Sequence, residues 1–266
     1  MSLFTDIHCH IVPCIDDGAT NLAESIAMAT MAIADGTSTI IATPHQLGSN
    51  KLVTAVRIRQ GIDELNRELA VQGIALKVLP GADVRIEPEL PKLLRSGDVL
   101  TLADKGLHVL LELPHEIYFP LEPLLSSLNK QGLIGILSHP ERNRGILAKP
   151  SVLESVVDAG GLIQITAGSL TGSFGESSQR LAKQFVRDRM VHFVASDAHD
   201  TKRRPFGLSE AFHTVCELAD KEMAECICCE NPARVAAGDP IQSQSRSRSA
   251  RATRAPKRSW FGMRAL

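Results

Sequence analysis

The sequence predicts an α/β fold in which a parallel sheet closes into a distorted seven-stranded (β/α)7 barrel. Short apolar, β-rich runs alternate seven times with helix-period stretches over short connections, the pattern of a parallel sheet. Gly36, Gly73, Gly106, Gly132 and Gly160 each stand just before a predicted strand, where a left-handed residue ends a helix cheaply. Seven repeats favour closure over an open sheet.

The strands are expected over 3–8, 37–42, 75–80, 107–113, 133–138, 161–166 and 191–196. Helices are expected over 21–35, 52–72, 88–95, 119–131, 151–159, 176–189 and 207–223. In the first helix Asn21 caps, Glu24 follows three positions later, Leu22, Ile26, Ala29 and Ile33 form an apolar stripe, and Gly36 stops the chain. After Asn231-Pro232 the pattern degrades.

The 266 residues are 44% apolar, enough to bury the core of one large α/β domain, expected over 1–240. Residues 241–266 hold seven Lys or Arg and no acid, so a formal charge of −1 for the whole leaves −8 on the rest. This Ser/Arg-rich tail has little to bury and is expected to be disordered, although it carries the only Trp, Trp260. No apolar run approaches the ~20 residues of a membrane helix, and the N-terminus opens into a strand rather than a signal peptide. A cytoplasmic location and reduced thiols are therefore expected. The cluster Cys226-Ile227-Cys228-Cys229 lacks a second ligand pair at finger spacing and reads as core.

The chemistry gathers at the C-terminal ends of the predicted strands. Strand one delivers Asp6-Ile7-His8-Cys9-His10 and then Asp16-Asp17-Gly18; strand two ends at Thr43-Pro44-His45, and strand three at Gly81-Ala82-Asp83. Glu112 ends strand four, His139-Pro140-Glu141-Arg142 follows strand five, and Ser196-Asp197-Ala198-His199 follows strand seven. In a parallel α/β barrel these ends converge on one face, where active sites are built. Taken singly, each has a plain structural reading. Asp16 and Asp17 suit a turn, Asp83 a cap, Glu112 a solvated strand end, while His108, His115, His192 and His213 read as packed, hydrogen-bonded residues. Taken together, the carboxylates would repel one another unless cations compensate. His, Asp and Glu without a thiolate pair suit Mn, Fe, Zn or Mg, and so many donors suit two or three ions, the arrangement that clamps the oxygens of a phosphoryl transfer. His8 and His10, two apart on a strand, share a side, and Cys9 points away from both.

Asp6-Ile7-His8-Cys9-His10-Ile11, Asp16-Asp17-Gly18, Ala42-Thr43-Pro44-His45, His139-Pro140-Glu141-Arg142 and Ser196-Asp197-Ala198-His199, in that order, resemble the polymerase-and-histidinol-phosphatase (PHP) superfamily. More closely, they resemble its bacterial manganese-dependent protein-tyrosine phosphatases of capsule and exopolysaccharide operons, over roughly residues 3–235. The resemblance implies a PHP-type barrel with three metals, Mn2+ foremost. His8, His10 and Asp197 would hold one, with Asp83 bridging to a second completed by Glu112 and His139. Asp17, His45 and His199 would hold the third. Arg142 and Arg204 resemble phosphate-binding arginines, and His199 is a candidate proton donor. The implied substrate is a phosphotyrosine protein, foremost a membrane-bound tyrosine kinase met at the inner membrane face. The family usually has Glu where this chain has Asp83, so the shorter arm is expected to lower metal occupancy. A thiolate mechanism through Cys9 is not expected, because the position six residues on, where such a loop needs Arg, is Ile15.

The competing readings are a histidinol-phosphate or other small-molecule phosphomonoesterase of the same superfamily, and a non-catalytic module acting through the basic tail. Trp260 and Phe261 beside Lys257-Arg258 would allow weak contact with a membrane surface. Specific nucleic-acid binding is not expected of an acidic barrel with one Trp and one Tyr in the chain.

Overall fold

The computed structural model describes residues 3–241. Its strands are β1 (Phe4–Cys9), β2 (Thr37–Ala42), β3 (His45–Gln46), β4 (Lys77–Pro80), β5 (Asp83–Arg85), β6 (His108–Glu112), β7 (Ile134–Ser138), β8 (Leu162–Thr166) and β9 (Phe193–Ala195). Around them lie α1 (Leu22–Ala34), α2 (Ala55–Val71), α3 (Leu90–Ser96), α4 (Glu122–Asn129), α5 (Arg144–Ala148), α6 (Val152–Asp158), α7 (Ala167–Thr171), α8 (Glu176–Arg187), α9 (Leu208–Leu218), α10 (Lys221–Glu225) and α11 (Asn231–Ala237).

The architecture is α/β with parallel pairing, but the expected single closed ladder is not formed. Among the described residues the strands make two open sheets, β1-β2-β4 and β3-β5-β6-β7-β8-β9. Proline accounts for one seam. Pro44 follows β2 and Pro80 ends β4, and a residue without an N–H cannot carry the ladder onward. The chain restarts pairing in the second sheet as β3 and β5, His45 opposite Asp83, two short strands the sequence pattern merges with their predecessors. At the other seam β1 meets the segment just after β9 through one parallel bridge, Cys9 with Ala198. There Asp197 N donates to His8 O at 2.8 Å and His10 N to Ala198 O at 2.8 Å.

Side-chain alternation along the strands separates two cores. Ile7, Ile41, Leu110, Ile136, Leu162 and Phe193, from six strands of both sheets, join Leu102 and Val235 in one small apolar cluster. The neighbouring Val109, Leu111, Leu137 and Ile163 belong instead to the larger cluster that the helices cover. In α2 the buried Ile58, Ile62, Leu65 and Leu69 recur at helical spacing. At the start of α1 the Asn21 side chain accepts from Glu24 N at 3.0 Å, the cap read from the sequence.

The C-terminal part differs from expectation. The helix expected over 207–223 breaks after Leu218, because the Asp220 side chain accepts from Met223 N at 2.7 Å and caps a new helix, α10. The pattern that degrades after Asn231-Pro232 is helical, α11, with Pro232 in the first turn, where its missing N–H costs nothing. Between them Cys226–Glu230 form a π-turn that buries Ile227, Cys228 and Cys229. His115 and His213 are exposed rather than packed. His192 Nδ1 accepts from Ile163 N at 3.1 Å. No helix among the described residues is long and apolar enough to cross a membrane. The expectations for the basic tail fall, from residue 242 on, outside the described residues.

His108 is wholly buried, and neither ring nitrogen has a hydrogen-bond partner. Burial pushes its pKa down to about 4. Between pH 6.5 and 4 the unfolded chain therefore takes up a proton that the folded chain refuses, so stability falls with acid. By pH 4 the loss should reach on the order of 3 kcal/mol. Denaturant titrations should show the parent losing that much more stability than His108→Leu between pH 7 and pH 4, on top of an offset that does not vary with pH. An identical acid slope in both proteins would contradict it.

A candidate metal centre

Nine side chains expected from the sequence converge on one face, where β1, β2, β4 and β6 end and the short β3 and β5 begin. Potential ligand atoms lie within 4.8 Å of one another in four groups: His10, Asp17, His45 and His199; His8, His10 and Asp197; His8, Asp83 and His139; His45, Asp83 and Glu112. His8 and His10 leave the end of β1, His45 opens β3, Asp83 opens β5, and Glu112 ends β6. His139 follows β7 and Asp197 follows β9, both with left-handed backbone at φ 33° and 53°. Such conformations cost energy in non-glycine residues and collect at functional sites, where the surroundings hold them.

The groups behind the imidazoles decide which nitrogen faces inward. His8 Nδ1 lies 2.9 Å from Gln164 Oε1, leaving Nε2 toward Asp197 at 3.2 Å and Asp83 at 3.6 Å. His10 Nδ1 bonds Asp16 Oδ2 at 2.7 Å, and its Nε2 turns to His8 Nε2 at 3.3 Å and Asp197 at 3.5 Å. His199 Nδ1 bonds the Asp197 carbonyl at 3.0 Å, while its buried Nε2 makes no hydrogen bond and lies 3.6 Å from Asp17. Anchoring one ring nitrogen outward so that the other is presented inward is how metal-binding histidines are oriented.

Asp83 tests the fit most directly. It is wholly buried, neither oxygen has a hydrogen-bond partner, and His45, His8 and His139 stand 3.4, 3.6 and 3.9 Å from Oδ2. A carboxylate only accepts, so two sealed and unserved oxygens suit a cation. Burial pushes Asp83 up, but His8, with His139 and His45, more than offsets this and holds it well below the usual carboxylate range. Glu112 is pushed up to about 7 by burial and then by the Asp83 charge. His139 and His199 are pushed down to about 4, first by burial. The donor set and its geometry fit divalent ions.

Asp197 divides its two oxygens. Oδ1 faces the imidazoles, and Oδ2 accepts from both Arg142 Nη1 and Arg204 Nη2. The two arginines bring one positive charge more than this carboxylate cancels. A cavity of about 250 Å3 opens along Asp17, His45, Ser49, Asn50, Arg85 and Glu112, on the His45 side of the ligand groups. Cys9 is buried in the outer core with its thiol pushed well up by burial, so it offers no nucleophile to that cavity.

Sequence reasoning missed several supporting groups. Asp16, weighed as a turn residue, holds His10 and accepts from His45 N at 3.0 Å. Gln164 sits in the apolar strand β8, and a lone polar residue there was an available signal. Arg85, two positions after Asp83, reaches Glu112 Oε2 at 3.2 Å, which strand parity allows. Glu141, inside a recognised motif, accepts from Thr166 N at 2.9 Å and Ser169 Oγ at 2.7 Å and ties the His139 turn to α7. Nothing in the sequence signals Phe174.

Gly18 lets the Asp16-Asp17 loop lie on β1. A Cβ there would stand 2.1 Å from the His10 carbonyl oxygen and 2.5 Å from His10 Cβ. Gly18→Ala should therefore push the loop off His10 and cost about 1–3 kcal/mol of stability. Thermal unfolding should register a lower midpoint; an unchanged midpoint would show that the loop moves freely.

A family model described as capsular polysaccharide synthesis, CpsB/CapC, matches residues 4–237. Tyrosine-protein phosphatase YwqE of Bacillus subtilis (strain 168) is 41% identical over 212 residues, 79% of this chain and 83% of that protein. The putative tyrosine-protein phosphatase CapC of Staphylococcus aureus is 31% identical over 209 residues, 78% of this chain and 82% of that one. A crystal structure from work on YwqE of Bacillus subtilis and CpsB of Streptococcus pneumoniae, described as unique metal-dependent tyrosine phosphatases, superposes with a TM-score of 0.86. Its sequence identity is 38%, and the match covers 90% of this chain and 96% of that chain. From its first strand to its last helix, the chain belongs to the CpsB/CapC family of capsular polysaccharide synthesis.

Proposed function

We propose that this chain is a metal-dependent protein-tyrosine phosphatase, and that His8, His10, Asp17, His45, Asp83, Glu112, His139, Asp197 and His199 hold two or three manganese ions. The observation that carries the reading is the buried, unserved Asp83 carboxylate facing His8, His45 and His139, with the His8 and His10 rings anchored from behind by Gln164 and Asp16. Membership of a family whose relatives are called tyrosine phosphatases supports the substrate class. Divalent ions held there would supply concentrated positive charge for phosphate oxygens and acidify water for attack on phosphorus.

The chain's own groups supply the rest. Arg142 and Arg204 grip the phosphoryl oxygens, for which a planar guanidinium fork is suited, and neutralise charge as it spreads over them. Asp197 Oδ2 holds both forks in place until the substrate arrives. A tyrosine phenol, with a pKa of ~10, leaves with less protonation than an alkyl alcohol needs, so in this reading His199, neutral with its pKa pushed down to about 4, serves first as an ion ligand. In this reading the two open sheets work as one distorted seven-stranded PHP-type barrel over 1–240, supported by the apolar cluster they share. The substrate is a phosphotyrosine protein, a membrane-bound tyrosine kinase of polysaccharide synthesis foremost, met in the cytoplasm at the inner membrane face.

Purified protein should contain manganese, and hydrolysis of a phosphotyrosyl peptide should rise with added Mn2+ and vanish in chelator. Histidinol phosphate assayed beside it should be the poorer substrate. Full activity in metal-stripped protein would overturn the metal scheme, and a preference for histidinol phosphate would overturn the substrate class. In the same metal analysis Asp83→Glu should retain more manganese than the parent.

Arg142→Ala and Asp197→Ala should separate the two roles. The first should lower kcat/KM by about 10²–10³ with metal content intact. The second should empty metal sites as well. Equal metal loss in both would place Arg142 among the structural supports.

A further inference from the structure

Phe174 lies just beyond α7 and is half-buried. The Arg142 guanidinium carbon sits 4.1 Å from its ring centroid and that of Arg204 5.8 Å away. One aromatic ring therefore stands against both cations that converge on Asp197. The three residues come from separate places: the turn after β7, the α7–α8 loop, and the loop after β9. Ser173 N and Gly172 N both donate to Gly168 O, at 2.8 and 3.0 Å, folding the loop back so that Phe174 covers Gly168. A Cβ on Gly168 would come within 2.9 Å of Phe174 Cε2. The missing side chain at position 168 is the space the ring occupies.

Two guanidinium groups sharing one carboxylate oxygen repel each other, and a single negative charge does not cancel them. The negative face of an aromatic ring attracts a cation and limits how it tilts. Arg204 Nε is also buried with no hydrogen-bond partner, a donor held in readiness. We propose that Phe174 is a positioning residue for phosphate binding: its ring holds Arg142 and Arg204 as a preorganised pair, setting affinity for the phosphoryl group and leaving metal content untouched. The inference rests on the reading of those arginines as the phosphate grip.

The full chain loaded with Mn2+ is the material for the test, with inorganic phosphate as the probe. Phe174→Leu keeps apolar bulk and removes the ring, while Phe174→Tyr keeps the ring. Phe174→Leu should raise the phosphate inhibition constant and the KM for a phosphotyrosyl peptide about three- to thirtyfold. Phe174→Tyr should stay within about twofold, and both should keep the parent's metal content and melting temperature. Gly168→Ala favours the α7 helix by removing a glycine, yet it must move the ring, so it should weaken phosphate without loss of stability. In a background of Arg142→Ala with Arg204→Ala, Phe174→Leu should weaken phosphate no further, since the ring acts only through the two arginines.

Equal weakening by Leu and Tyr, weakening that tracks loss of metal, or no change in any variant would overturn the proposal. Failure of the phosphatase reading looks different. The parent would then hydrolyse no phosphotyrosyl peptide with any divalent ion, and direct calorimetric titration of phosphate into the same variants would still judge the ring.

Discussion

Burying an ionised carboxylate is the constraint around which this molecule is arranged. Asp83 is shut from water with neither oxygen hydrogen-bonded, a situation that costs several kcal/mol unless positive charge compensates. Compensation has to come from the ends of other strands, because β5 carries no cation within reach of those oxygens. His8, His45 and His139 approach from β1, β3 and the turn after β7. Parallel pairing is what allows this, since it brings all the C-terminal strand ends to one face. Gln164 and Asp16 then fix the His8 and His10 rings so that the inner nitrogens stay aimed at the centre.

What the sequence exposes and what it hides divide along a physical line. His8 and His10 are legible because a strand has period two, and Asp83, Glu112 and Asp197 because strand ends follow from apolar runs. The four ligand groups contain every one of the nine residues read from those positions. Hidden are features that depend on distant backbone. The left-handed conformations of His139 and Asp197 aim those side chains, yet neither residue type announces them. Phe174 touches Arg142 across 32 positions of sequence, through a loop whose fold depends on hydrogen bonds to Gly168. The open sheets were partly legible. Pro44 and Pro80 mark where pairing stops, but that it resumes beyond them as β3 with β5 in a second sheet depends on the three-dimensional path.

Not every buried ionisable group belongs to the centre, and neighbours tell them apart. His108 and His10 are both fully buried histidines. His108 has no partner, so burial alone acts on it and keeps it neutral. His10 faces Asp16 and Asp197, and although burial opposes its charge, Asp16 and then Asp197 raise its pKa to about 10. Cys9 lies between two candidate ligands in sequence and still belongs to the outer core, because strand alternation turns it away. Proximity in sequence is a poor guide here; the face of the strand decides.

The seam between β1 and β9 shows how a sheet that does not close can still build a rigid centre. A single bridge joins β1 to the segment just after β9, too little by itself to hold Asp197 against His8 and His10. Asp6 supplies the rest. Its Oδ1 accepts from Ser196 N at 3.0 Å and His8 N at 3.2 Å, and its Oδ2 accepts from the Ser196 hydroxyl. One carboxylate thus grips the backbone on both sides of the gap, directly beneath the residues that must face each other. Burial pushes this group up to about 6, offset in part by its bonds to Ser196 and His8. The cost of keeping it there is accepted at the one place where a continuous ladder is absent, and where a shift of a strand would separate Asp197 from the imidazoles it meets. The side chain stands in for the missing backbone pairing, so the geometry of the centre depends on Asp6 as much as on the strands it joins.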